Sequence, residues 1–230
     1  MKINQTTRII GEKVILVPYR KHHVLKYHDW MSMSEIQELT ASEPLSLDEE
    51  YQMQSSWQSD EDKLTFIVLG RDKYESFSES IGDNTEKEIQ AMIGDVNVFI
   101  STESSDEDEN EVLRTTAELE IMIPGVENRG KGFGIEAVYL MINYCVQNLL
   151  TVLPISYFHV KINEDNHASI KMFEKLGFEK YKYIKVFKEQ CLKLEVNEST
   201  FQTSELGIRT LKFINKYSTN FKPQIDVDYY

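Results

Sequence analysis

Long apolar runs are missing from this chain. No stretch approaches the ~18–20 consecutive apolar residues that a membrane-spanning helix needs. The first residues, Met1-Lys2-Ile3-Asn4-Gln5-Thr6, are too polar for a secretory leader. Cysteine is scarce: Cys145 and Cys191 are the two among 230 residues. That scarcity excludes a disulfide-built scaffold and points to a reducing compartment, so a cytoplasmic protein is expected. Positive charge is also short, with 25 Lys and Arg against 38 Asp and Glu, a net charge of -13. Binding to nucleic acid is dominated by phosphate neutralisation, so nucleic acid is a poor partner. No membrane partner is expected either. Cationic ligands, such as a protonated α-amine or a polyamine, are favoured instead. No residue set has metal-ligand spacing, so no metal is expected, and no Ser-His-Asp or Cys-His arrangement is suggested. His22, His23, His28 and His167 read as surface or helix residues.

What is present is an ordinary globular composition, 41% hydrophobic and 27% charged, with a length that fits one domain. Val14 to Val17 reads as a strand closed by Pro18, and His22 to Met31 as a short helix with apolar residues at helical spacing. Ser46-Leu47-Asp48-Glu49 is a capping box that opens a helix through about Trp57. Leu64 to Leu69 is a strand, residues 70 to 90 a polar connection, and Ala91 to Ile100 a strand. Glu103 to Glu111 reads as a solvated acidic hairpin loop. Ala117 to Ile123 is a strand ended by Pro124-Gly125, followed by a helix over Gly134 to Leu149 and a strand over Ile155 to Ile162. Asn166 to Leu176 is a helix with Gly177 at its stop, and Tyr181 to Phe187 with Gln190 to Val196 form a hairpin. A polar tail follows, with one short helix over Leu206 to Ile214.

Glycine is uncommon at ten residues, yet three fall in Arg129-Gly130-Lys131-Gly132-Phe133-Gly134. This turn lies between a strand and a helix. Bare backbone donors, two cations and a helix start together make a phosphate cradle. A dinucleotide fingerprint needs G-x-G-x-x-G near the start of a βαβ unit, and here the glycines run G-x-G-x-G past mid-chain. A P-loop needs Ser or Thr after Gly-Lys, and Lys131 is followed by Gly132.

The remaining pattern, R-x-x-G-x-G, resembles the pyrophosphate loop of acetyl-CoA-dependent acetyltransferases. Asn166 to Phe178 reads N-x-x-S-x-x-x-F-x-K-x-G-F, which is similar to the second signature of the GNAT (GCN5-related N-acetyltransferase) superfamily. The resemblance covers roughly residues 10 to 197. Tyr27-His28-Asp29-Trp30-Met31, Leu39 to Leu45, Glu49-Glu50-Tyr51 and Ser56-Trp57 look like the eukaryotic N-acetyltransferase 9 subfamily, described as acetylating the N-termini of α- and β-tubulin. The resemblance implies an α/β (α+β) GNAT fold: one domain over 10–197, with a central mixed, splayed sheet flanked by helices, and a polar tail over 198–230. It implies acetyl-CoA as co-substrate and a protein N-terminus, tubulin, as partner. Main-chain donors of Gly130, Lys131, Gly132 and Gly134 would hold the pyrophosphate, with charge from Arg129 and Lys131. Backbone of Ile121, Met122 and Ile123 would pair with pantetheine, and Asn166 would bond the pantetheine or sulfur side. Phe173 stands where many members carry a proton-donating Tyr.

The acceptor amine must lose a proton before it attacks, so a base is expected. Glu118 and Glu120 share one strand face, opposite Leu119, Ile121 and Ile123, which suits a base with an orienting partner. His159 alternates with Tyr157 and Lys161 on the neighbouring strand, where the family often places a base, and imidazole suits neutral pH. Asp29, Trp30 and Glu43 are candidates for acceptor selection: acids for a cationic N-terminus and an aromatic for its first side chain. Trp30 and Trp57 read equally as core anchors. Two other readings stand beside N-terminal acetylation: acetylation of a small amine such as a polyamine, and a non-catalytic module of the same shape that binds microtubules or another protein.

Overall fold

The computed structural model describes residues 2–77, 84–104, 113–150, 153–196 and 224–226. The strands are β1 (Arg8–Ile10), β2 (Val14–Pro18), β3 (Lys63–Gly70), β4 (Met92–Ser104), β5 (Leu113–Met122), β6 (Ile155–Asn163), β7 (Glu179–Ile184), β8 (Glu189–Glu195) and β9 (Gln224–Asp226). The helices are α1 (Val24–Met31), α2 (Ser34–Thr40), α3 (Leu47–Ser59), α4 (Arg71–Ser76), α5 (Asn84–Ala91), α6 (Phe133–Asn148) and α7 (His167–Lys175). One mixed sheet runs in the order β7-β8-β6-β5-β4-β3-β2-β1-β9. The pair β5/β6 is parallel, whereas β1/β2, β2/β3, β6/β8 and β7/β8 are antiparallel.

By contacts the chain divides into two compact units. The first holds the described residues up to Asn97, together with Ile121–Val138 and β9. Its core gathers Ile15, Val17 and Tyr19, the α1 residues Val24, Tyr27 and Trp30, Ile36 of α2, and Ile67 and Leu69 of β3. Ser46 caps α3 by accepting from the Glu49 N–H, and the Glu49 carboxylate accepts from the Ser46 N–H at 2.8 Å, so the capping box forms as its sequence dictates.

The second unit holds Val98–Glu120 and the described residues from Tyr139 onward, β9 excepted. Its core includes Phe158, Val160 and Ile162 of β6, Leu192 and Leu194 of β8, and Ile170 and Phe173 of α7. α6, which runs through both units, is buried on every side from Ala137 to Cys145, as an all-round apolar helix should be. Cys145 fills space there, and burial pushes its thiol pKa up.

The structure departs from the sequence reading in three places. Residues 70 to 90 are not a plain connection but hold α4 and α5. α5 (Asn84–Ala91) has only Ile89 and Ala91 as apolar residues, too few to show a period. α4 is one short turn braced by Arg71 and Glu75 at 2.7 Å. α2 buries Ile36 alone and ends at Ala41 in the left-handed region, φ 50°. β1 pairs with β2 and with β9, at lengths too short for alternation to register. The centre of the acidic loop and the short helix over Leu206 to Ile214 lie outside the described residues.

Candidate active site

The glycine turn lies in the first unit. It follows β5 through Pro124-Gly125 and a 3-10 turn, Val126–Asn128, and runs into α6. Gly130 and Gly132 take φ of 73° and 89°, a left-handed region that residues with a Cβ seldom adopt. A Cβ at Gly130 would meet nothing within 4 Å, so that stretch of backbone is open. A Cβ at Gly132 would stand 3.1 Å from the Lys13 ammonium.

Lys13 is a residue that sequence reading missed. Its Nζ donates to the Lys131 carbonyl at 2.9 Å, which brings a cation to the loop. The placement depends on Glu136, in the first turn of α6. Its Oε1 accepts from the backbone N–H of Lys13 at 2.9 Å and of Val14 at 3.3 Å, tying the start of β2 to the start of the helix. Burial raises the Glu136 pKa, and the backbone donors oppose that rise. No spacing signal announces a pair so far apart in sequence.

Arg129 is held inside the turn. Its guanidinium donates to the Ile123 carbonyl at 3.1 Å, the Pro124 carbonyl at 2.9 Å and the Glu35 carboxylate at 2.7 Å. It braces the chain between β5 and the glycines. With two left-handed glycines, an open backbone, a nearby ammonium and a helix N-terminus, the loop fits an anionic phosphate group.

The expected base residues lie in the second unit. Glu118 and His159 are opposite one another in the parallel pairing of β5 with β6. That pairing runs from Thr115 to Glu118, and beyond it no register partners join the two strands among the described residues. This is the splay of the sheet. The Glu118 carboxylate pairs with the Lys161 ammonium at 2.7 Å, so its partner is a cation on β6. Glu120 is exposed. His159 is 3% exposed and meets the Tyr157 ring edge-on, with centroids 5.7 Å apart.

Asn166 caps α7, accepting from the Ser169 N–H at 3.2 Å. At the far end the Gly177 N–H donates to Glu174 O at 3.1 Å and the Phe178 N–H to Phe173 O at 3.0 Å, with Gly177 at φ 93°. These bonds are a Schellman stop, and its apolar clasp is Phe173 against Phe178, centroids 5.1 Å apart. The F-x-K-x-G-F run therefore encodes a helix end, and Phe173 is 2% exposed within it.

Asp29 and Glu43 are exposed in the first unit. Trp30 is not: it is buried beside Tyr27 in the core, with the Lys26 ammonium 5.8 Å from its ring centroid. Trp57 packs partly buried against the same core.

His23, read from the sequence as a surface or helix residue, is fully buried in the 3-10 turn Lys21–His23. Its Nδ1 accepts from the Arg20 N–H at 3.0 Å, so Nε2 carries the proton and donates to Glu88 Oε2, also at 3.0 Å. His22 Nε2 reaches the same oxygen at 2.7 Å. His22, His23 and Glu88 bring three potential metal-ligand atoms within 4.8 Å of one another, a cluster that no sequence spacing foretold. The tautomer of His23 makes it a hydrogen-bonded bridge. Desolvation lowers the His23 pKa to about 4, against the pull of Glu88.

Known proteins resemble this chain over most of its length. The acetyltransferase (GNAT) domain family matches residues 13–179. An N-acetyltransferase 9-like protein of Caenorhabditis briggsae is 47% identical over 195 residues, 84% of this chain and 88% of that one. The human alpha/beta-tubulin-N-acetyltransferase 9 is 45% identical over 203 residues, 88% and 89% of the two chains. A crystal structure of spermidine N-acetyltransferase from Vibrio cholerae, in complex with CoA and spermine, shares the fold with a TM-score of 0.58 at 17% identity. It covers 82% of this chain and 98% of that one. The chain belongs to the GNAT acetyltransferase family, is an acetyltransferase enzyme, and resembles N-acetyltransferase 9 proteins over most of its length.

Proposed function

We propose that this enzyme transfers the acetyl group of acetyl-CoA to the α-amine of a protein N-terminus, with the N-termini of α- and β-tubulin as acceptors, in the cytoplasm. The observation that carries the acceptor is the name borne by the human relative at 45% identity. Both this chain and tubulin are acidic, so recognition runs through the N-terminal peptide and not through a broad surface. In this reading the catalytic domain spans 10–197 and residues 198–230 form a polar tail.

Main-chain donors of Gly130, Lys131, Gly132 and Gly134 hold the CoA pyrophosphate, helped by the Lys13 and Lys131 ammonium groups. Arg129 acts by bracing this turn. The backbone of Ile121 to Ile123 pairs with pantetheine, and Asn166 bonds near the sulfur while capping its helix. One among His159, Glu118 and Glu120 takes the first proton from the acceptor ammonium. The neutral amine then attacks the thioester carbonyl in a ternary complex: a C–N bond forms, the C–S bond breaks, and the thiolate leaves with the sulfur electron pair. The second amine proton ends on that thiolate through water, since Phe173 has none to give. Asp29 and Glu43 attract the cationic N-terminus, and Trp30 acts by shaping the floor beneath it. Acetyl-CoA turnover against tubulin N-terminal peptides, with spermidine and a lysine peptide as controls, tests this assignment.

A further inference from the structure

The first unit buries two carboxylates that, among the described residues, face no Lys or Arg. Asp95 on β4 and Glu50 on α3 are each 1% exposed. Asp95 Oδ2 accepts from the Asn97 amide at 2.7 Å and the Tyr27 hydroxyl at 3.4 Å, but its Oδ1 has no hydrogen-bond partner among the described residues. The same holds for Glu50 Oε2, Asn97 Oδ1 and the Tyr19 hydroxyl, all on buried side chains. These groups lie together. Tyr19 and Tyr27 have ring centroids 5.1 Å apart, Asp95 and Asn97 share one face of β4, and the Tyr19 phenol feels the charge of both Glu50 and Asp95. Glu50 Oε1 lies 3.8 Å from Nδ1 of His28, a half-buried side chain that takes the cluster to the surface.

Leaving so many buried oxygens unpaired is costly, and a charged one costs more than a neutral one. Burial accordingly lifts Asp95 to about 7 and raises Glu50. A donor-only cation would complement these oxygens. A primary ammonium carries three N–H donors and no acceptor, which matches the orphaned Asp95, Glu50 and Asn97 oxygens.

The cluster also lies beside the strand assigned above to the acetyl donor. A Cβ on Gly94, next to Asp95, would fall 2.0 Å from the Met122 carbonyl oxygen. β4 therefore runs hard against the Ile121–Ile123 stretch at this point.

We propose that the Asp95–Glu50–Asn97 cluster, with Tyr19 and Tyr27, is a receptor for the primary ammonium group of the acceptor. The inference rests on the reading of the protein as an amine acetyltransferase and names the residues that select the charged amine.

The test uses the full chain, with propylammonium chloride and tetramethylammonium chloride as probes and the backbone amide resonances of Glu50 and Asn97 as the readout. Propylammonium is expected to shift both saturably, and tetramethylammonium, which has no N–H donor, to leave them unmoved. Asp95→Asn and Glu50→Gln are each expected to weaken propylammonium binding by about 10–100-fold, the effect of losing one charge-assisted hydrogen bond. Acetyl-CoA affinity should stay unchanged, which reports an intact fold. In turnover, Asp95→Asn should raise the acceptor KM more than it lowers kcat. No response to propylammonium, an equal response to both salts, or wild-type affinity in both variants overturns the proposal. Saturable propylammonium binding in a protein that acetylates no N-terminal peptide supports the ammonium site and removes the N-terminal acceptor.

Discussion

The Lys13 ammonium donates to the Lys131 carbonyl at 2.9 Å, across 118 residues of chain. A lysine at the head of β2 thereby becomes part of the glycine turn at the head of α6.

The first prediction concerns that turn. Gly132→Val forces a branched side chain into φ 89° beside Lys13. It should abolish measurable acetyl-CoA binding. Lys131→Ala and Lys13→Ala each remove one exposed charge and should weaken binding by about tenfold or less, the scale of a single ion contact. Calorimetric titration with acetyl-CoA checks the order. Equal losses in all three variants would mean that charge, not backbone shape, governs the loop.

Glu136 should matter for stability. Glu136→Ala leaves the Lys13 and Val14 N–H groups without their acceptor. A loss of about 1–3 kcal/mol is expected in urea unfolding, together with weaker acetyl-CoA binding as Lys13 drifts from the loop.

His23 sets an acid limit. Its folded pKa, about 4, lies below the ordinary value of 6.5. As pH falls through 6.5 the unfolded chain takes up a proton that the folded chain refuses, so the folded state loses stability progressively down to about pH 4. The loss from this group is up to about 3 kcal/mol. Asp95, raised from the ordinary 3.8 to about 7, works in the opposite direction over the same range, adding stability as pH falls below about 7. Comparing wild type with His23→Gln at pH 7 and pH 5 isolates the histidine: the variant should lose less stability on acidification. Equal losses would remove His23 from the acid limit.

His159→Ala should lower kcat by about 100-fold or more if the imidazole is the base, with acetyl-CoA affinity nearly unchanged. An unaltered kcat would move the role to Glu118 or Glu120. Of these two, Glu118 is paired with Lys161, and comparing kcat of Glu118→Gln with that of Glu120→Gln then assigns the role.

Much of this was legible in the chain. The capping box at Ser46, the glycine turn before α6 and the N-cap and glycine stop of α7 rest on local rules, in which residue types a few positions apart decide the outcome. β2 and β3 followed from short runs of β-formers, buried on both faces, and β4 to β6 from alternation. What escaped was either too short or too distant. α2 and α4 carry too few apolar residues to show a period, and α5 shows two. Lys13 with Glu136, Arg129 with Glu35, and His23 with Glu88 meet only after the chain has folded. Trp30 illustrates a further limit: its sequence position is the same whether the indole greets a ligand or fills the core, and only the packing decides. The buried Asp95 was hidden for a related reason, since a lone acid in an apolar strand carries no sign of the groups that will surround it.

The central claim is tested most directly by steady-state acetyl-CoA turnover of the purified chain on peptides carrying the α- and β-tubulin N-termini, beside spermidine and an internal-lysine peptide. Turnover on the tubulin N-termini with little on the controls is the predicted result. Turnover on spermidine alone, or none on any acceptor while acetyl-CoA still binds, would contradict it.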